Sequence, residues 1–175
     1  LLQDGDKELA IANTKKSVLI NPKNTKAWLL LIEIQLEQKD VQEVINTYNT
    51  IPQAVLATLD FQLNYIRLLW FNRLIKLAKK QLQYINRRNS NNLQVHALIS
   101  ELYRRENHPL KALPHLFKCV ELAPNDIKQR LLLATTLVDQ NKLDSARIQI
   151  EKALTISPAN LEALNLSADI EKKKH

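Results

Sequence analysis

The residue types able to do chemistry are few in this chain and poorly spaced for it. His108, His115 and Cys119 lie close together, and His115 and Cys119 are one helical turn apart, so a helix would carry an imidazole and a thiol on one face. A structural metal asks for more ligands than these. Cys119 is the single cysteine, which also excludes an internal disulfide framework. Gly5 is the single glycine, so neither a phosphate-cradling loop nor a dinucleotide-binding turn can be built. No Ser/His/Asp or Cys/His set is placed by spacing, and the carboxylates of Asp4 and Asp6 read as an exposed turn. The expectation is a protein with no catalytic residue, no metal and no cofactor.

Two groupings suit binding better. Trp70 and Phe71 are adjacent, and neighbouring bulky aromatics cannot both enter one helix–helix seam; exposed aromatics dominate binding hot spots. With Arg104 and Arg105 they would make an amphipathic patch for an acidic, apolar segment. The second grouping is cationic. The chain carries a formal net charge of +7, and residues 59–92 alone carry +6, from Arg67, Arg73, Lys76, Lys79, Lys80, Arg87 and Arg88 against Asp60. Lys76, Lys79 and Lys80 share one helix face. Such a stripe could engage phosphates or an acidic surface, the blander account being a solvated face.

The elements that must hold these residues are announced by a ruler in the prolines. Pro22, Pro124 and Pro158 stand at multiples of 34 residues, and an internal period of that size means stacked copies of one supersecondary unit. Columns at the same spacing agree. One reads Ala10, Val44, Ala78, Ala112, Ala146, small residues that allow close helix approach. Others read Tyr48, Leu82, Leu116, Ile150, and Ile51, Ile85, Cys119, Ala153, the last making Cys119 a packed thiol. Asn24, Asn92, Asp126 and Asn160 are helix-capping types where helices should begin. Gly5-Asp6, Lys39-Asp40, Asn107-His108 and Asn141-Lys142 mark turns between paired helices, while Arg73-Leu74 departs from that small-residue pattern. Pro52 should end its helix early, and Pro114 should remove a hydrogen bond to the Leu110 carbonyl and kink its helix.

With these residues in view, the chain resembles the tetratricopeptide repeat (TPR) proteins, most closely in Asp4-Gly-Asp…Ala10…Ile20-Asn-Pro22, Trp28-x-x-Leu31…Asp40…Tyr48 and Ala146…Ala153-Leu-Thr-Ile-Ser-Pro158. The resemblance implies an all-α, right-handed TPR superhelix (α-solenoid) of about ten antiparallel-paired helices, one domain over 1–175. A half repeat at 1–24, full repeats at 25–58, 59–92, 93–126 and 127–160, and a capping helix at 161–172 would compose it. It also implies a non-catalytic scaffold whose first helices present a concave groove to a peptide or helix of a partner protein. Carried onto this chain, that groove comprises Leu29, Glu33, Leu63, Asn64, Arg67, Trp70, Phe71, Glu101, Arg104, Arg105, Leu131 and Thr135. Glu33, Arg67 and Glu101 alternate in sign and could satisfy one another as a surface ladder. The Lys, Asn and Arg set with which relatives clamp acidic chaperone tails is represented by Asn64 alone, so that clamp is not expected.

Two alternative readings accompany the scaffold: nucleic-acid or acidic-surface binding through the 59–92 repeat, and a recruiting arm for a catalytic domain elsewhere in a longer polypeptide. Leu1, Leu2, Leu9 and Ile11 of the half repeat could pair with a second copy as a homodimer. The longest wholly apolar run, Ala27 to Ile32, is far below a membrane span, so no membrane insertion is expected. The chain lacks an initiator Met and is expected to begin inside a longer polypeptide; a cytoplasmic location is the default reading.

Overall fold

The computed structural model describes residues 4–172, and among these every regular element is helical. In the first half these are α1 (Asp4–Ile20), α2 (Thr25–Glu37), α3 (Val41–Thr50), α4 (Gln53–Leu56), α5 (Leu59–Phe71) and α6 (Ile75–Arg88). The second half holds α7 (Leu93–Arg105), α8 (Pro109–Leu122), α9 (Ile127–Asp139), α10 (Leu143–Ile156) and α11 (Leu161–Lys172). The chain divides into two compact units, Leu1–Ile85 and Asn86–His175. Leu1, Leu2 and the terminal Lys173, Lys174 and His175 lie outside the described residues.

Three backbone and side-chain devices recur at the 34-residue interval. Asn24, Thr58, Asn92, Asp126 and Asn160 each accept a backbone N–H from the first turn of the following helix, through Asn24 Oδ1 to Ala27 at 3.2 Å and Asn160 Oδ1 to Ala163 at 2.9 Å, for example. At the other end of these helices, Lys39, Arg73, Asn107 and Asn141 take positive φ values of 61°, 64°, 58° and 56°. Each closes a Schellman turn: Lys39 N–H donates to Leu36 C=O at 2.9 Å and Asp40 N–H to Gln35 C=O at 3.1 Å, with the same pairs at 73/74, 107/108 and 141/142. Arg73-Leu74, the expected departure, therefore adopts the same backbone as its counterparts. Because a β-carbon is strained in this region, Lys39→Gly is expected to raise stability by about 0.5–1 kcal/mol, seen as a higher urea midpoint.

The third device is one that hydrophobic periodicity does not announce. Trp28, Gln62, His96 and Arg130 occupy one column, and each reaches back six residues to a carbonyl of the chain that leads into its helix. Trp28 Nε1 donates to Pro22 C=O at 2.9 Å and Gln62 Nε2 to Leu56 C=O at 2.7 Å. His96 Nε2 lies 2.8 Å from Ser90 C=O, and Arg130 Nη2 donates to Pro124 C=O. Side chains of unlike chemistry thus close the same joint. Leu164 ends the column and has no side-chain N–H to give.

Pro52 acts as expected. Ile51 before it is extended (φ −66°, ψ 130°), α3 stops after 10 residues where α6, α8 and α10 run for 14, and the remnant forms the short α4. That split is why eleven helices stand among the described residues instead of about ten. Pro114 is exposed inside a continuous α8. Gly5 and Asp6 correct the expectation of a turn: both lie within α1, and no described helix precedes them for a left-handed turn to terminate.

Within Leu1–Ile85 the core is built on Trp28, Leu31, Ile32, Phe61, Ile66 and Leu69. Tyr48 and Tyr65 stack at 4.7 Å, with Phe61 5.8 Å from Tyr65. Within Asn86–His175 the small residues Ala112, Ala134, Ala146 and Ala153 are fully buried among Leu116, Leu133 and Ile150. The last helix buries Ala163 and Ile170 on one side and leaves Leu161 75% exposed on the other.

Candidate functional site

The surface offered by the first helices can be followed within each unit. On α2, Leu29 is half-buried and Glu33 exposed; on α5, Leu63 is buried, Asn64 and Arg67 are half-buried. Asn64 Nδ2 donates within its own helix to Asp60, at 2.9 Å to the backbone carbonyl and 3.1 Å to the carboxylate, and Arg67 Nη1 reaches Asn64 Oδ1 at 3.5 Å. On α7, Arg105 pairs with Glu101 at 3.2 Å one turn away, and Arg104 is half-buried. On α9, Leu131 is buried and the Thr135 hydroxyl donates to its carbonyl at 2.9 Å.

The aromatic pair separates, as a 100° step between successive helical residues requires. Trp70 is 6% exposed, with the Lys79 ammonium 5.8 Å from its ring, whereas Phe71 is 54% exposed. Trp70 therefore serves packing, and Phe71 is the outward-facing member. The patch expected from Trp70, Phe71, Arg104 and Arg105 divides between the two units, the aromatics in the first and the arginines in the second.

Phe71 has nearer neighbours of the right kind. It lines a hollow of about 350 Å³ with Leu36, Val41 and Leu74, whose rim carries Glu37, Lys39 and Arg73. Lys39 and Arg73 are the two left-handed turn residues among the described residues of this unit, so the Schellman turns hold their cationic side chains beside the apolar hollow. Charge patterning puts Arg73 in the basic stripe and passes over Lys39; the signal that joins them is their 34-residue spacing.

A second hollow, of about 490 Å³, opens between α1, α2 and α3, walled by Val18, Leu19, Pro22, Trp28, Leu31 and Pro52. Thr47 and Thr50 of the shortened α3, with Pro52 just beyond it, complete the wall. Its rim bears the Lys15–Glu43 ion pair at 3.2 Å.

The histidines are arranged for hydrogen bonding within the fold. His96 Nδ1 and His115 Nδ1 are 2.9 Å apart, and His115 also stacks on Tyr103 at 6.1 Å. A carbonyl can only accept, so the contact with Ser90 C=O puts the His96 proton on Nε2. Neutral His96 then accepts at Nδ1, and His115 Nδ1–H is the donor. Burial, followed by the neighbouring His96, lowers the His115 pKa below its ordinary value. The unfolded chain consequently binds more protons just below pH ~6.5, and stability falls as pH drops from there toward the folded value. The urea midpoint should fall between pH 7.5 and 5.5, and by less in His115→Gln.

The Cys119 thiol donates to the Leu93 carbonyl at 3.9 Å, and burial, with Asp126 adding to it, pushes its pKa up to about 11. Such a thiol is neither a nucleophile nor a ready ligand. Among the described residues no group of three or more His, Cys, Asp or Glu could hold a metal ion, and no helix is long and apolar enough to cross a membrane.

Comparison with known proteins follows the same lines. Tetratricopeptide-repeat family models match residues 1–56 and 130–160. No curated protein sequence matches the chain. Among solved structures, YrrB, described as a TPR protein with an unusual peptide-binding site, is 17% identical over 92% of this chain and 83% of its own, with a TM-score of 0.63. PilF of Pseudomonas aeruginosa is 17% identical over 96% of this chain and 77% of its own, TM-score 0.63. MamA of Desulfovibrio magneticus RS-1 is 15% identical over 90% and 89%, TM-score 0.61. At these identities the likeness speaks for the fold, and the repeat-family matches at both ends of the chain speak for the lineage. The chain carries tetratricopeptide repeats at 1–56 and 130–160, on a fold shared with tetratricopeptide-repeat proteins.

Proposed function

We propose that this chain is a non-catalytic protein-interaction scaffold, and that the unit Leu1–Ile85 binds a short acidic and apolar segment of a partner protein at the Phe71 hollow. The observation that carries the reading is Phe71 itself, a large aromatic 54% exposed beside a cavity of about 350 Å³ whose rim holds two cations, Lys39 and Arg73, against one carboxylate, Glu37. An apolar partner side chain enters between Leu36, Val41 and Leu74, and its acidic neighbours meet Lys39 and Arg73. Glu33, Asn64 and Arg67, with Leu29 and Leu63 beneath, extend the surface along α2 and α5. Arg104, Arg105 and Thr135 carry the equivalent proposal within the second unit. Tetratricopeptide-repeat proteins are in general non-catalytic scaffolds that bind other proteins or peptides, and the related fold of YrrB is described with a peptide-binding site; both support the reading.

A preformed helical scaffold loses little freedom on binding, so modest contacts suffice for micromolar affinity. Selection from a random peptide library displayed on phage tests the proposal. Enrichment of sequences joining an aromatic or aliphatic residue to acidic ones, abolished by Phe71→Ala and by Arg73→Glu, is the expected result. Enriched peptides indifferent to both substitutions, or no enrichment at all, would refute it.

A further inference from the structure

The helix α6 has a property the scaffold reading leaves unused. Its sequence, IKLAKKQLQYINRR, contains no acidic residue. Ala78, Leu82 and Ile85 are buried, while Lys76, Lys79, Lys80, Tyr84, Arg87 and Arg88 are exposed. Lys76, Lys80, Tyr84 and Arg87 follow one another at i, i+4, i+8 and i+11, a single stripe about 17 Å long at 1.5 Å per residue. Tyr84 lies within that stripe and is 45% exposed.

The repeat architecture does not ask for these residues. At the positions equivalent to Lys76 the other full repeats carry Gln42, Leu110 and Asp144, and at those equivalent to Lys80 they carry Asn46, Pro114 and Ile148. The equivalents of Arg87 are Gln53, Glu121 and Thr155, and none of the equivalents of Tyr84 is aromatic. The helix dipole favours cations in the last turn, which accounts for Arg87 and Arg88 but not for Lys76 and Lys80.

We propose that this face of α6 binds single-stranded nucleic acid, with phosphates on Lys76, Lys80 and Arg87 and an unpaired base stacked on the Tyr84 ring. Cations interleaved with an aromatic form the usual sequence-tolerant platform for single strands, and stacking demands a base that is not already paired. An anionic membrane is the poorer match, because a helix lying on a bilayer inserts an apolar face and the apolar face of α6 is consumed by the core. The residues are distinct from those of the Phe71 hollow, so the two activities can be lost independently.

Fluorescence polarisation with labelled 15-nucleotide oligo(U) tests this, beside a duplex of equal length and phosphatidylserine vesicles. The protein should bind oligo(U) at low salt more tightly than duplex, with affinity falling as roughly the second power of salt concentration, as about three phosphate contacts require. Lys76→Glu/Lys80→Glu should weaken binding at least tenfold. Tyr84→Ala should weaken it about tenfold and Tyr84→Phe should leave it unchanged, circular dichroism confirming the fold of each. Absence of binding, equal affinity for duplex or vesicles, or a Tyr84→Ala variant that binds like the parent would overturn the proposal.

Discussion

Replacing Trp28 with Ala is expected to cost the protein about 3–5 kcal/mol, enough to remove a large part of the stability of a unit this size. The side chain is 7% exposed, and its loss empties volume beside Leu31 and enlarges the hollow that both residues line. Its second contribution is the hydrogen bond from Nε1 to Pro22 C=O at 2.9 Å, which ties the first turns of α2 to the connection from α1. Trp28→Phe separates the two effects. It keeps most of the apolar volume and surrenders the donor, so about 1 kcal/mol should be lost. Urea unfolding followed by circular dichroism measures both. If the two variants were equally damaging, the hydrogen-bonded joint would matter more to stability than the packing of the ring.

Phe71→Ala is expected to leave stability nearly unchanged and to weaken binding of a selected peptide about 30-fold, the factor that corresponds to a ~2 kcal/mol hot spot. The contrast with its neighbour makes the prediction sharp. Trp70→Ala should destabilise the fold, since Trp70 is 6% exposed, and should affect binding only in proportion to unfolding. A titration by isothermal calorimetry, paired with thermal unfolding of each variant, distinguishes these outcomes. Equal losses of affinity without loss of stability in both variants would place the contact surface elsewhere than the Phe71 side.

How legible each device is in the sequence follows from how directly it constrains residue type. Helix caps need a short side-chain acceptor, so Asn24, Asn92, Asp126 and Asn160 advertise themselves, and Pro52 announces the end of α3 because no proline continues a helix. The Schellman turns constrain the backbone instead. Any residue tolerates positive φ at a cost of about 1–2 kcal/mol, which is how Arg73 occupies a turn that its side chain gives no reason to expect. The column Trp28, Gln62, His96, Arg130 escapes for a related reason. Its members share only a side-chain N–H, a property to which hydrophobic periodicity is blind. Adjacent Trp70 and Phe71 show that one of them must face outward, but choosing between them needs the helical phase to within one residue.

The direct measurement of peptide binding at the Phe71 hollow is hydrogen exchange of the whole chain with and without a peptide selected on it. The Phe71 proposal predicts added protection at residues 36–41 and 71–74, with the Phe71→Ala variant showing none at the same peptide concentration. Protection confined to other segments, or protection unchanged by Phe71→Ala, would contradict it.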